Sequence, residues 1–305
     1  MAGTSPFEPP QRLVRALAET HGESAEGWLA GLGATAGEAV ARRGLTAERV
    51  QTPGGRSGLV LLVRTADGTP AALKLAPPAA RPDLEAAALA HWDGWGAVRL
   101  LEDPAGSRED GGLLLERLQP EVSLRSLPDA KALLEAAGTI RRLWVEPPAG
   151  HPFESVADRT ARQAESLRSA ADELARPLVE SAVAARDELV ADPPERLLLH
   201  GSFRQGKVLA GERSPWLAVG PDPVVGERAY DLARLTRDRI EDLVASSSGP
   251  GTARRRVSRL ADSLDLDRDR LRGWSLFRAV ESALRAHRAG HRQDAEILLE
   301  FAGWL

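Results

Sequence analysis

Apolar and polar positions divide this chain into a helical start, a strand-rich middle and a long helical remainder. Residues 1–10 hold three prolines and few apolar positions, which predicts disorder. Helical spacing follows over Gln11–Ala18, Glu26–Leu32 and Ala36–Arg43. Strand patterning begins near Leu45 and runs through Val50. After a glycine-rich turn, Leu59–Arg64 and Ala71–Leu75 flank Asp67-Gly68, a hairpin signal. A helix is predicted at Leu84–Trp92, then strands at Val98–Leu101 and Gly112–Leu118.

Beyond Pro128 the pattern is mainly helical. Ala130–Val145 is periodic and stops before Pro147-Pro148. Asp158–Leu189 is amphipathic but contains Pro177, which predicts two helices. A short strand at Leu197–His200 and a hairpin follow. Helices are predicted at Asp231–Ala245, Ala253–Leu264, Arg268–Ala289 and Asp294–Trp304, with Ser246–Thr252 as a flexible connector. Trp144, Trp274 and Trp304 are expected in the helical core. His287 and His291 are four apart, but Gly290 intervenes and a surface position is expected.

The 305 residues suffice for one two-lobed domain or two ordinary ones. A hydrophobic fraction of 43% with 28% charged residues is that of a soluble globular protein. Net charge is −4, which argues against a basic nucleic-acid binder. With no cysteine, disulfides, thiolate zinc sites and cysteine nucleophiles are excluded, and a cytoplasmic location is expected. No apolar run is long enough for a membrane span, and the first residues lack signal-peptide regions.

Candidate chemistry lies in two places. The first is Gly54, Gly55 and Ser57 in the turn before a strand pair, with Lys74 on the next strand and Glu85 on the following helix. Glycines let backbone amides approach phosphate closely, and a lysine buried in a strand needs an acidic partner. The second is Leu198–Ala233, LLHGSFRQGKVLAGERSPWLAVGPDPVVGERAYDLA. This segment resembles the catalytic segment of the aminoglycoside phosphotransferase family, most closely its streptomycin 6-kinase and hydroxyurea-resistance branch. The expected pattern there is HGDxHxxNVL and then WLAxDPxPxVGxxxYDLA. The chain keeps His200, Gly201, Trp216, Leu217, Ala218, Pro221, Pro223, Gly226 and Tyr230–Ala233 of that frame.

The resemblance covers roughly residues 45–305. It implies an α+β, protein-kinase-like fold with a small antiparallel-sheet lobe and a mostly helical lobe. The expected division is 11–115 for the first lobe, 116–118 for a hinge and 119–305 for the second. It also implies nucleotide-binding roles for Gly54, Gly55, Ser57, Lys74, Glu85 and the hinge residues Glu116–Leu118, and structural roles for His200 and Asp231.

Four positions depart from the pattern. Ser202 stands for the catalytic-base aspartate, Arg204 for the second histidine, Lys207 for the metal-binding asparagine and Gly220 for the metal-binding aspartate. A serine hydroxyl is too weak a base for a substrate alcohol, and a protonated lysine cannot ligate a cation. No metal site is expected, though Asp222 is a rescue acid if its loop shifts. Only three lysines, Lys74, Lys131 and Lys207, stand among 40 basic residues. Lys207 is therefore either a point-charge substitute for magnesium, allowing ATP to bind without metal, or drift.

The leading expectation is a catalytically inactive, pseudokinase-like protein with a binding or regulatory role and a nucleotide, small-molecule or protein partner. One alternative is an active ATP-dependent phosphotransferase on a hydroxyl of an aminoglycoside-like small molecule. Another is a non-catalytic protein that sequesters a small molecule. By the resemblance, Arg237, Arg239, Trp274 and Glu281 are candidates to line an acceptor cavity. An acidic face for a polycationic aminoglycoside is not evident, with Glu241, Asp242 and Glu281 the nearest carboxylates.

Overall fold

A computed structural model describes residues 7–104, 110–171 and 174–305. The disorder expected at 1–10 therefore falls mainly outside the described residues. The chain separates into two compact units, Met1–Ser123 with Leu209–Val219, and Leu124–Val208 with Gly220–Leu305. The sequence expectation drew the second lobe from residue 119. Instead Gln119–Ser123 pairs with Val208–Ala210, which pairs in turn with Trp216–Ala218 in a three-stranded sheet, and 119–123 and 209–219 count with the first unit.

The first unit is built on an antiparallel sheet of β1 (Thr46–Val50), β2 (Leu59–Arg64), β3 (Pro70–Leu75) and β4 (Gly112–Glu116), in that order. The Asp67-Gly68 turn joins β2 and β3, with Gly68 at φ +84°. Alternation places Leu59, Leu61 and Val63 of β2, with Ala71, Leu73 and Leu75 of β3, in one core. Helices Gln11–His21 and Glu23–Arg42 contribute Leu13, Leu17, Leu32 and Ala36 to it. The second of these is one continuous helix where two were expected, since its glycines find nothing that forces a break. Its Gly27 and Gly31 face open space. Val98–Leu101 is no strand; Leu100 makes a lone bridge to Leu115.

The second unit is mostly helical. Its longest helix, Arg268–Arg288, carries Trp274 and Phe277 into a core where Tyr230 meets Trp274 edge-to-face. Pro177 does divide the amphipathic stretch, because it sits in the first turn of Arg176–Ala191, where a missing N–H costs little. The helix expected at Asp231–Ala245 is broken into Arg228–Leu232 and Ile240–Val244, with Arg239 left-handed at φ 56°. The connector expected through Thr252 ends earlier, since helix Gly249–Leu264 takes Pro250 in its first turn. His287 and His291 do not share a helix, which ends at Arg288.

Glu227 is the ion-pair centre of this unit. It is buried, accepts two hydrogen bonds of 2.6 Å from Arg270, and takes a third of 2.6 Å from the Trp274 indole. Removing Glu227 leaves the buried Trp274 indole N–H without its acceptor and the partly exposed Arg270 without its carboxylate. Glu227→Ala is expected to cost about 1–3 kcal/mol of stability, measured by chemical denaturation, with Glu227→Gln costing less.

Candidate functional site

In the first unit, period-two alternation turns Lys74 away from the core of Leu73 and Leu75. Helix Pro82–Trp92 brings Glu85 to it, and the two form a buried ion pair. The turn at 51–58 holds Gly54 at φ +75°, and a Cβ on Gly58 would lie 2.5 Å from the Leu75 carbonyl oxygen, so this turn runs close against the end of β3. Glu116 is engaged within its own unit. Its N–H donates to the Arg99 carbonyl at 3.0 Å, and its carboxylate accepts from Arg213 at 2.7 Å. Leu118 is buried.

In the second unit the loop after strand Leu197–Leu199 is held by Asp231. This carboxylate is fully buried and accepts the N–H groups of His200 and Gly201, each at 2.9 Å, and the Trp144 indole at 3.3 Å. Burial pushes its carboxyl pKa up, while the Arg278 charge and these hydrogen bonds pull it down, and burial wins. Arg278 closes the turn from the other side, donating to the carbonyls of Tyr230 at 2.9 Å and Gly201 at 2.7 Å. The His200 ring is buried edge-on to Phe203, with its Nδ1 accepting the Ser202 N–H at 3.3 Å.

The four departing positions are not scattered. Lys207 donates to the Ser202 hydroxyl at 2.5 Å and to the Gly220 carbonyl at 2.6 Å, and the Ser202 hydroxyl lies 3.3 Å from that same carbonyl. Gly220 is left-handed at φ +61°, and a Cβ there would sit 3.8 Å from the Lys207 ammonium. An ammonium thus occupies the centre of the loop. Magnesium requires oxygen ligands, commonly carboxylates, and does not fit this set, whose oxygens already accept from a cation. Among the described residues no three His, Cys, Asp or Glu side chains group to hold a metal. Asp222 is mostly exposed and pairs with Arg159 at 3.2 Å; its N–H donates to the His200 carbonyl at 2.9 Å. Arg204 is partly buried on the same loop.

Beside this loop a cleft of about 450 Å³ opens, bordered by Asp222 and lined by Arg159, Arg162, Arg285 and Arg288 with Glu154 and Glu281. Of the candidates for an acceptor cavity, Glu281 lines this cleft. Trp274 is core, and Arg239 is held by the Arg125 and Leu127 carbonyls. Glu241 and Asp242 are exposed on helix Ile240–Val244. Sequence reasoning missed Arg278, Trp144 and Arg159, since each acts across a long sequence separation and none sits in a motif.

The fold is shared with known proteins. The model of the aminoglycoside/hydroxyurea antibiotic resistance kinase family matches residues 43–290. The chain is 36% identical over 290 residues to streptomycin 6-kinase of Streptomyces glaucescens, covering 93% of this chain and 92% of the relative. It is 37% identical over 287 residues to hydroxyurea phosphotransferase of Kitasatospora aureofaciens, covering 91% and 79%. Among solved structures, aminoglycoside phosphotransferase APH(4)-Ia in ternary complex with ADP and hygromycin B aligns with a TM-score of 0.57 at 14% identity, covering 87% of this chain and 95% of that one. The chain belongs to the aminoglycoside/hydroxyurea antibiotic resistance kinase family, and its fold is the protein-kinase-like one. No described helix is long and apolar enough to cross a membrane.

These relatives correct the leading expectation. They are named as kinases and phosphotransferases across nine-tenths of this chain, which favours an active enzyme over an inactive, purely binding protein. The expectation rested on the loss, as a unit, of the base and metal-ligand side chains at 202, 207 and 220.

The loop's dependence on close backbone packing is testable. Gly201 has φ +72°, and a Cβ on it would lie 1.9 Å from the Asp222 carbonyl oxygen. Gly201→Ala is expected to cost about 1–3 kcal/mol through overpacking, read as a lower melting temperature.

Proposed function

We propose that the protein is an ATP-dependent phosphotransferase acting on a hydroxyl of a small molecule with the polyhydroxyl character of an aminoglycoside. The observation that carries this reading is the 36% identity with a streptomycin 6-kinase along nearly the whole of both chains. The buried Lys74–Glu85 pair and the Asp231-held loop support it, since the family resemblance gives a phosphate-binding lysine and a buttressed catalytic loop to those positions.

In the reaction, the acceptor oxygen bonds to the γ-phosphorus of ATP as the bond from that phosphorus to the β,γ-bridging oxygen breaks. ADP leaves, and the hydroxyl proton passes to water. Such transfers are loose, and the protein's work is positioning and charge neutralisation. Lys207 supplies a fixed positive charge, pre-placed by Ser202 and the Gly220 carbonyl. A lysine serves phosphate as a point charge. Ser202 offers no general base. Turnover is therefore expected about 10²–10⁴-fold below that of a base-assisted enzyme.

The test follows labelled γ-phosphate from ATP into a panel of polyhydroxylated acceptors, with magnesium and with EDTA. Product that persists in EDTA is expected. Absence of product with every acceptor would count against the enzyme, and product that strictly requires magnesium would show that Lys207 does not stand in for the metal. A second expectation concerns the triple variant Ser202→Asp, Lys207→Asn, Gly220→Asp. It should acquire magnesium-dependent ATP binding that the native protein lacks, seen by titration calorimetry.

A further inference from the structure

Ser202 has no task in direct transfer, since its hydroxyl is too weak a base. Its surroundings are nevertheless those of a reacting oxygen. Strand Leu197–Leu199 runs into a sharp turn, left-handed at Gly201 with φ +72°. Three hydrogen bonds fix that turn. Asp231 accepts the Gly201 N–H at 2.9 Å, Arg278 donates to the Gly201 carbonyl at 2.7 Å, and the Ser202 N–H donates to the His200 Nδ1 at 3.3 Å. A serine presented on a tight turn just past a strand is an arrangement that nucleophilic serines use.

The hydroxyl itself differs from that of an ordinary core serine. Ser275, for comparison, gives its proton to the Leu271 carbonyl at 2.7 Å within its own helix. Ser202 instead accepts from the Lys207 Nζ at 2.5 Å, and its own proton is left with a long contact of 3.3 Å to the Gly220 carbonyl. An ammonium on a hydroxyl oxygen favours the alkoxide and eases loss of the proton. Serine–lysine pairs recur as nucleophilic sites for this reason. Ser202 is 5% exposed, but Lys207 and Gly220, which it touches, are half-buried, so the pair is open on the lysine's side.

By the family resemblance, position 202 belongs to the residue that meets the acceptor hydroxyl, next to the oxygen that attacks phosphorus. A serine there brings an attacking oxygen of its own, and Lys207 brings a point charge suited to phosphate. We infer that Ser202 is itself a phosphoryl acceptor: with ATP bound and no small-molecule acceptor present, its Oγ takes the γ-phosphoryl group. The Oγ–phosphorus bond forms as the bond from that phosphorus to the β,γ-bridging oxygen breaks. ADP leaves, and the hydroxyl proton passes to water. The phosphoserine then faces the Lys207 ammonium, an opposite charge that retains it. Use of ATP as the donor rests on the phosphotransferase reading; the choice of Ser202 rests on the turn and the lysine contact.

The experiment incubates the whole chain with γ-labelled ATP and no acceptor, with magnesium and with EDTA, and locates the label by peptide mass spectrometry. Label is expected on Ser202, at a rate independent of protein concentration because donor site and acceptor share one chain. Ser202→Ala should lose it, and Ser202→Thr, which keeps the hydroxyl, should retain it. Lys207→Met should slow it about ten- to a hundred-fold, the range for a lost charged hydrogen bond. The two Ser202 variants keep the test open if Lys207→Met fails to fold. Label on other residues only, labelling that survives Ser202→Ala, or Lys207→Met labelled at the native rate would each overturn the inference. So would an unlabelled protein that phosphorylates a member of the acceptor panel, a result that leaves the phosphotransferase reading standing. Label on Ser202 with no phosphorylated small molecule supports this inference and counts against that reading instead.

Discussion

A single buried carboxylate organises the candidate site. Asp231 lies on the short helix after the strand pair, yet its two oxygens reach back to the N–H groups of His200 and Gly201 at the opposite end of the segment. Unpaired, each of those buried N–H groups would cost roughly 1–3 kcal/mol. The carboxylate in turn would be costly to bury without them and without the Arg278 charge. The arrangement therefore stands or falls together. Once it stands, the chain must turn sharply at Gly201 and pass so close to Asp222 that no side chain fits at that position.

That scaffold accommodates a loop interior of unusual chemistry. An ammonium sits between a hydroxyl and a carbonyl where carboxylate and amide would be expected from the resemblance. The exchange is self-consistent: Ser202 and the Gly220 carbonyl are neutral acceptors suited to a cation, and the left-handed backbone at Gly220 leaves room for the lysine side chain. Moving outward, arginines and carboxylates alternate: Arg278 faces Asp231, and Arg285 pairs with Glu281 while sharing the Ser282 hydroxyl with Arg237.

Much of the first unit could be read from the chain directly. The apolar runs Leu59–Arg64 and Ala71–Leu75, with Asp67-Gly68 between them, read as an antiparallel pair, and the family resemblance named Glu85 on the next helix as the partner of Lys74. Helix limits were less legible. Gly249–Leu264 begins inside a glycine- and proline-rich stretch because proline is tolerated in a first turn, and Glu23–Arg42 runs through four glycines because packing outweighs propensity.

The linear order of residues was enough to settle which side chains occupy the loop: Ser202, Arg204, Lys207 and Gly220 are covalent facts, and the frame around them carries the family resemblance. Their consequence was not legible in that order, and neither was the activity, which the motif read alone put on the inactive side. Whether Lys207 drifts or is seated depends on where two neutral oxygens from residues 202 and 220 come to lie. Whether Arg237 and Arg285 are separate cations or share one hydroxyl depends on where helix Arg268–Arg288 packs. Charge acts over a few ångströms through space and not along the chain, so only tertiary structure could decide the sign of the field that a substrate meets.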